Sequence, residues 1–201
     1  FYLDVIKDRL YVEAAESADR RAAQTTIYTI LRGLTLLIAP IIPFTAEEIW
    51  SYLPADSGYD AGSVMFNEMP RAVDGMVDEA FMEKWDRIHL VRDDVLGALE
   101  AARAAKTIGK SLEAKVSLHC DGELYDFLAS VMDELAPVFI VSAVSLERGG
   151  EGSFKGAVEG LSVTVAHADG AHCPRCWAYS GTVGSDAKHP ELCARCAGIV
   201  G

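Results

Sequence analysis

Cys173-Pro-Arg-Cys176-Trp177, then Cys193-Ala-Arg-Cys196 after a gap of sixteen residues from Cys176, is the stretch that organises this chain. Each two-residue gap turns the backbone so that its two sulfurs converge, and two such hooks at this separation match a four-thiolate zinc site. A redox role needs only one Cys-x-x-Cys beside a βαβ unit, and a disulfide framework needs a secreted, cysteine-dense chain. The second matched pair therefore favours metal, with zinc as the default.

The residues around the hooks show why a metal is needed. Over positions 169–201 the large apolar side chains are chiefly Trp177, Tyr179, Leu192, Ile199 and Val200, set among glycine and polar residues. So few cannot offset the chain entropy lost on folding. Zinc held by four thiolates supplies on the order of 10 kcal/mol, so metal uptake and folding of this tail are expected to be one event. Arg175 and Arg195, one inside each hook, are placed either to balance the negative charge of the thiolate cluster or to meet a phosphate. Trp177 reads either as the lid of the small zinc core or as a stacking surface for a base. With four thiolates filling the coordination sphere, no open position is left for a catalytic water.

The chain has 201 residues, a net charge of −12 and five cysteines, of which only Cys120 lies outside the hooks. Cys120 follows Val116 and Leu118 and reads as the end of a buried strand, so cysteine usage points to a reducing, cytoplasmic setting. The longest apolar run, Leu34 to Phe44, is broken by Pro40 and Pro43 and falls short of the roughly 20 residues that span a bilayer. No membrane partner is expected, and no signal peptide opens the chain. Phe1 begins mid-element without an initiator Met, which suggests part of a longer protein. Residues 1–53 carry five Lys/Arg and seven Asp/Glu, 169–201 three of each, and 54–168 ten and twenty. The acidity is central, so contact with RNA at the two ends is compatible with the charge, modest and sensitive to salt.

In chain order, Leu3, Ile6 and Leu10 at helical spacing predict the tail of a helix over 1–12. A second helix is expected from Ser17 to Ala39, with Ala23, Ile27, Ile30, Leu31, Leu34 and Leu37 or Ile38 on its buried face. A third starts with Thr45 as cap, Glu48 three residues on and Phe44 stapled to Ile49, and stops at Pro54. Residues 55–74 read as a long surface loop, and about 78–107 as a long amphipathic helix carrying Phe81, Trp85, Ile88, Val95, Leu99 and Ala102. After Gly109 the period shortens to two: Leu112, Ala114, Val116 and Leu118 predict a half-buried strand. Leu124 to Leu135 suits a helix, and Val138–Leu146 and Leu161–Ala166 two more strands. The fold class expected is mainly α: an antiparallel helical bundle over 1–107, an α+β unit of two or three strands and one helix over 108–168, and a four-cysteine zinc module over 169–201.

Ala104 to Ser111 fits the loose text of a phosphate-cradling loop, but a helix leads in and a strand leads out, the reverse of the order such loops require. His172 and His189 flank the hooks and read as exposed; His89, His119 and His167 read as structural or solvated. No catalytic set is legible.

Three stretches together resemble the C-terminal part of bacterial isoleucyl-tRNA synthetase: Phe1 to Tyr11, Ile108-Gly-Lys-Ser-Leu-Glu-Ala-Lys-Val116, and the two cysteine hooks with Trp177. The resemblance covers essentially the whole chain. It implies an anticodon-binding bundle, a junction unit and a zinc module in which Cys173, Cys176, Cys193 and Cys196 carry one structural zinc per chain. It also implies an ATP- and Mg-dependent ligase of protein biosynthesis whose catalytic centre lies in a domain not present in these residues. The partners implied are tRNA-Ile, held by its anticodon stem-loop, and the remainder of the synthetase chain, in a monomer. Candidate RNA contacts are Lys7, Arg9, Arg20, Arg21, Arg32, Arg175, Trp177 and Arg195. The competing reading is a zinc-stabilised adaptor that binds protein partners.

Overall fold

The computed structural model of the chain describes residues 1–55, 58–72, 75 and 77–201. These fall into two compact units, Phe1–Val12 with Asp78–Gly201, and Glu13–Val77.

In the Glu13–Val77 unit, α3 (Ala18–Ile38) and α4 (Pro43–Tyr52) pack as a helical pair closed by a 3₁₀ turn at Val64–Phe66. Their shared core is Leu36, Ala39, Ala46, Trp50 and Val64. The face predicted for α3 is buried only in part: Ala23 is inside and Ile38 packs on this core, but Ile30, Leu34 and Leu37 are 58%, 50% and 54% exposed, while Thr35 and Leu36 are inside instead. At about 1.5 Å per residue the ten-residue α4 is half as long as α3 and covers only its C-terminal part. Nor does Thr45 cap α4. Pro43, with φ already helical and no N–H to satisfy, occupies its first turn, so the helix starts three residues earlier, with Ile42 as N-cap, and Phe44 is left 90% exposed without a staple. Of the loop expected over 55–74, residues 56, 57, 73 and 74 lie outside the described residues. The described part is anchored by Val64, 1% exposed, and by the Trp50 Nε1 donating to the Asp60 carbonyl at 3.1 Å.

The other unit opens with two short helices, α1 (Tyr2–Val5) and α2 (Lys7–Tyr11), hinged at the buried Ile6. After Asp78, whose carboxylate caps the first turn by accepting from the Phe81 amide at 3.2 Å, runs α5 (Glu79–Ala104). Its inner face is Ile88, Val91, Val95, Ala98, Leu99 and Ala102, whereas Phe81, expected on that face, is 54% exposed. A three-stranded sheet follows: β1 (Ala114–Cys120), flanked by the parallel β2 (Ala143–Arg148) and the antiparallel β3 (Ser162–His167). The crossover from β1 to β2 uses two helices rather than one, α6 (Gly122–Ser130) and α7 (Met132–Phe139).

Alternation in β1 is strict, with Ala114, Val116, Leu118 and Cys120 inward, so Cys120 closes the strand as a buried thiol raised in pKa by that burial. Leu112 is instead part of a 3₁₀ turn before the strand. The apolar run from Val138 does not begin a strand. Val138 and Phe139 finish α7 and fill the common core, Ile140 reverses the chain at φ 57°, and pairing resumes at Ala143. β-Branched residues favour strands only where the pleated surface has room for them, and here helix packing takes precedence.

The Asp94 carboxylate of α5, 6% exposed, accepts from the Ala157 and Val158 amides at 2.7 and 2.9 Å and so ties the loop before β3 onto the helix.

Among the described residues no helix is long and apolar enough to cross a membrane.

Candidate metal centre and nucleic-acid interface

The last segment of this unit is built around the two cysteine hooks. β4 (Ala171–His172) and β5 (Tyr179–Ser180) pair antiparallel and carry Cys173 and Cys176 in the turn between them. Gly170 sits at φ 93°, and a Cβ there would lie 2.2 Å from the Ser180 carbonyl carbon, so only glycine lets the hairpin close. Inside the turn the Cys173 amide donates to the Ala178 carbonyl at 2.9 Å and the Trp177 amide to the Cys173 carbonyl at 2.8 Å. These bonds hold Trp177 at φ 66°, a left-handed conformation unusual for a bulky residue. The second hook lies at the start of α8 (Ala194–Val200), with Cys193 as N-cap and Cys196 in the first turn.

The four sulfurs lie within 4.8 Å of one another, and Cys176 Sγ is 3.9 Å from Cys193 Sγ. A tetrahedron with Zn–S bonds of about 2.3 Å places sulfurs about 3.8 Å apart, whereas a disulfide needs about 2.05 Å. All four are free thiols, so the donor set fits a tetrahedral metal. Three are buried and Cys176 is half-buried. Burial pushes the Cys173 thiol up, but the amides of Cys176, Cys193 and Arg175 pull harder, and it sits near pKa 6. Burial raises Cys176 and Cys196, the latter also through its thiol neighbours. Amides aimed at a sulfur are what a thiolate bound to a cation requires.

The apolar core around the sulfurs is small: Val12, Leu192 and Ala197 are its fully buried members besides cysteine. Burying two large aliphatic side chains gives about 3–6 kcal/mol, against about 1–2 kcal/mol of backbone entropy for each of the residues ordered, so the metal has to supply the difference.

The basic candidates are placed very differently from one another. Arg195 holds Asp8 through two 2.7 Å hydrogen bonds, which raise its pKa, and Arg175 Nη2 donates to the Val12 carbonyl at 2.7 Å while its Nε is buried without a partner. Arg20 donates to the Glu13 carbonyl at 3.1 Å, and Arg21 pairs with Glu16 at 3.5 Å. Arg32 lies over the rings of Tyr59 and Tyr28, at 4.2 and 5.2 Å from their centroids. Lys7 pairs with Asp4 at 2.7 Å on the surface, and Arg9 is exposed. Trp177 is 55% exposed and meets His172 edge-on, with ring centroids 5.4 Å apart. Lys7, Arg9, Arg175, Trp177 and Arg195 belong to the unit that holds the cysteines; Arg20, Arg21 and Arg32 belong to the other.

Beside Trp177 opens a cleft of about 590 Å³ walled by Lys110, Ser111, Glu113, His172 and Tyr179. The Lys110 ammonium stands 5.1 Å from the indole centroid. Sequence reasoning did not connect Lys110 with this surface. It lies 67 positions from Trp177, and the link is made by Ser142, whose hydroxyl bonds the Leu112 carbonyl and receives the Tyr179 amide at 2.8 Å. The same segment shows why the phosphate-loop text is misleading: Glu113 already accepts from the Gly109 amide at 2.6 Å and from the Lys110 amide, which depresses its pKa.

Residues 1–118 match the family model described as the anticodon-binding domain of tRNA ligase, and residues 172–198 that of a zinc finger found in FPG and IleRS. The latter match, with the four clustered sulfurs, supports structural zinc. The chain is 47% identical over 200 residues to an isoleucine–tRNA ligase of Thermoanaerobacter sp. (strain X514), covering 98% of this chain and 21% of that protein. It is 44% identical over 204 residues to the ligase of Desulforudis audaxviator (strain MP104C), and 46% over 202 to that of Bacillus mycoides (strain KBAB4), covering 100% of this chain and 22% of each. The chain thus spans about a fifth of the length of the curated relatives it matches.

Proposed function

The chain belongs to the family of anticodon-binding domains of tRNA ligases, and from this we propose that it is the tRNA-binding C-terminal region of an isoleucine–tRNA ligase. In this reading it grips the anticodon stem-loop of tRNA-Ile, and ATP- and Mg-dependent aminoacylation takes place in a catalytic domain elsewhere in a monomeric, cytoplasmic synthetase. The single observation that carries the reading is the coincidence, in one chain of 201 residues, of the anticodon-domain match and a closed four-thiol site. The anticodon is far from the acceptor end, so a separate module has to read unstacked loop bases with planar side chains and hold phosphates with Lys and Arg.

Cys173, Cys176, Cys193 and Cys196 are proposed to bind one zinc per chain. Its role is structural: four thiolates leave no coordination position for substrate. The proposed division is an anticodon-binding region at 1–107, a junction at 108–168 and the zinc module at 169–201; the zinc-finger match at 172–198 falls inside the last, and the anticodon-domain match at 1–118 runs past the first boundary. Among the RNA candidates, Arg9, Lys7, Arg21 and Trp177 are the most accessible. Arg20, Arg32, Arg175 and Arg195 are already engaged within the chain, and their proposed contribution is through the donors and ring contacts left over.

The discriminating experiment titrates labelled tRNA-Ile and an unrelated tRNA with the zinc-loaded chain at several salt concentrations. Preferential, salt-sensitive binding of tRNA-Ile supports the reading. Equal and feeble binding of both sets it aside in favour of a zinc-stabilised protein adaptor.

A further inference from the structure

The metal module is not self-contained. Val12, at the end of α2, is buried with Cys173, Leu192, Cys193, Cys196 and Ala197. Arg175, from the first hook, donates to the Val12 carbonyl, one of the last-turn acceptors that a helix cannot satisfy itself. Arg195, from the second hook, holds Asp8 with both terminal nitrogens. A residue that lies between two of the four cysteines therefore grips a carboxylate of α2. This contact spans 187 positions of sequence.

We infer that Arg195, Asp8 and Arg175 are positioning residues that couple metal binding to the docking of α2, so that the N-terminal helix is held in place only while the four sulfurs are gathered on a metal. The physical reason is geometric and electrostatic. Gathering Cys193 and Cys196 fixes the backbone that carries Arg195, so that its planar fork meets Asp8, and the same hooks carry the buried atoms against which Val12 packs. Without the metal, four thiols have no reason to stay within contact distance. The hooks then open, and α2 loses its ion pair, its carbonyl partner and its apolar seat together. This inference rests on the donor set and its contacts, not on RNA recognition.

Linkage makes the coupling reciprocal: whatever factor metal adds to α2 docking, docking adds to metal affinity. Asp8 is not among the four sulfur donors, yet Asp8→Asn should weaken zinc affinity, measured by competition with a chromogenic chelator, by about two- to five-fold, the upper range for a half-exposed pair. Arg195→Gln should do the same, and the double variant should be no worse than either single one. Hydrogen exchange on the zinc-loaded chain should show slow amides at Ile6, Leu10 and Val12, which accept protection from α1 and α2, becoming fast on chelation. Lys188→Gln, on the exposed segment between the hooks, is the control and should change neither reading. Unchanged zinc affinity in Asp8→Asn, additive losses in the double variant, or unchanged exchange in residues 2–12 on chelation would each overturn the coupling.

Discussion

The Cβ that Gly156 lacks would lie 1.9 Å from Oδ1 of Asp94, and that absence is what allows the Asp94 carboxylate to reach the next two amides. A charge buried in α5 thus fixes the loop that leads into β3. Removing it leaves two donors without a partner. Asp94→Ala should cost about 2–4 kcal/mol of stability in urea titration, because hydrogen bonds to a buried charged group are worth more than neutral ones. Gly156→Ala should be destabilised in the same range, and a loss below half a kcal/mol in both would show that the loop is held by something else.

Glu113 gives a prediction with a sign. Its carboxylate accepts from the Gly109 and Lys110 amides, which lowers its folded pKa below the ordinary Glu value. A depressed carboxylate contributes stability that is present above the unfolded pKa, about 4.3, and is lost as pH falls through the folded value. The protection of the Gly109 amide, its exchange rate referred to the intrinsic rate at each pH, should therefore be present at neutral pH and decline in acid. In Glu113→Gln the acid-dependent step should be absent, which nuclear magnetic resonance can follow residue by residue.

The cysteine set makes a stoichiometric prediction. Elemental analysis should return one zinc per chain, and Cys193→Ser should lose it while leaving the sheet around Leu118 and Val163 folded. Full retention of zinc in the variant would remove Cys193 from the ligand set. Chelation of the intact chain should melt residues 169–201 and loosen α2, whose Val12 shares their small apolar core, while the sheet stays folded.

How much of this could be read from the sequence depended on the range of the interactions. The hooks were legible because two-residue spacing is a local property, and so were α5, β1 and β3, whose periodicity is long or strict. The inward face of α3 was legible only in part: Ala23 and Ile38 turn inward, whereas Ile30 and Leu34 have the spacing of a buried stripe but α4 is too short to cover them. The start of α4 was misplaced because Pro43 competes with Thr45 for the first turn. Val138 and Phe139 look like strand and are helix, since α7 packs against α5 and β2. The engagement of Arg195 with Asp8 and the approach of Lys110 to Trp177 were invisible, because each joins residues distant in sequence that only folding brings together.

Lys110 and Trp177 form a pair whose members should respond differently. Trp177→Ala removes a stacking face and should weaken binding to a single-stranded RNA by about 1–3 kcal/mol with zinc content unchanged. Lys110→Gln should lower affinity less and reduce the salt slope by about one. Equal salt slopes before and after would take Lys110 away from the phosphate.

The most direct measurement of anticodon recognition uses two RNA hairpins, one with the anticodon stem-loop of tRNA-Ile and one with the same stem and a changed anticodon. Titrated by fluorescence anisotropy into the zinc-loaded chain, the first should bind at least about ten-fold more tightly, a difference of about 1.4 kcal/mol. Indistinguishable affinities for the two hairpins would contradict the proposal that this chain reads the anticodon.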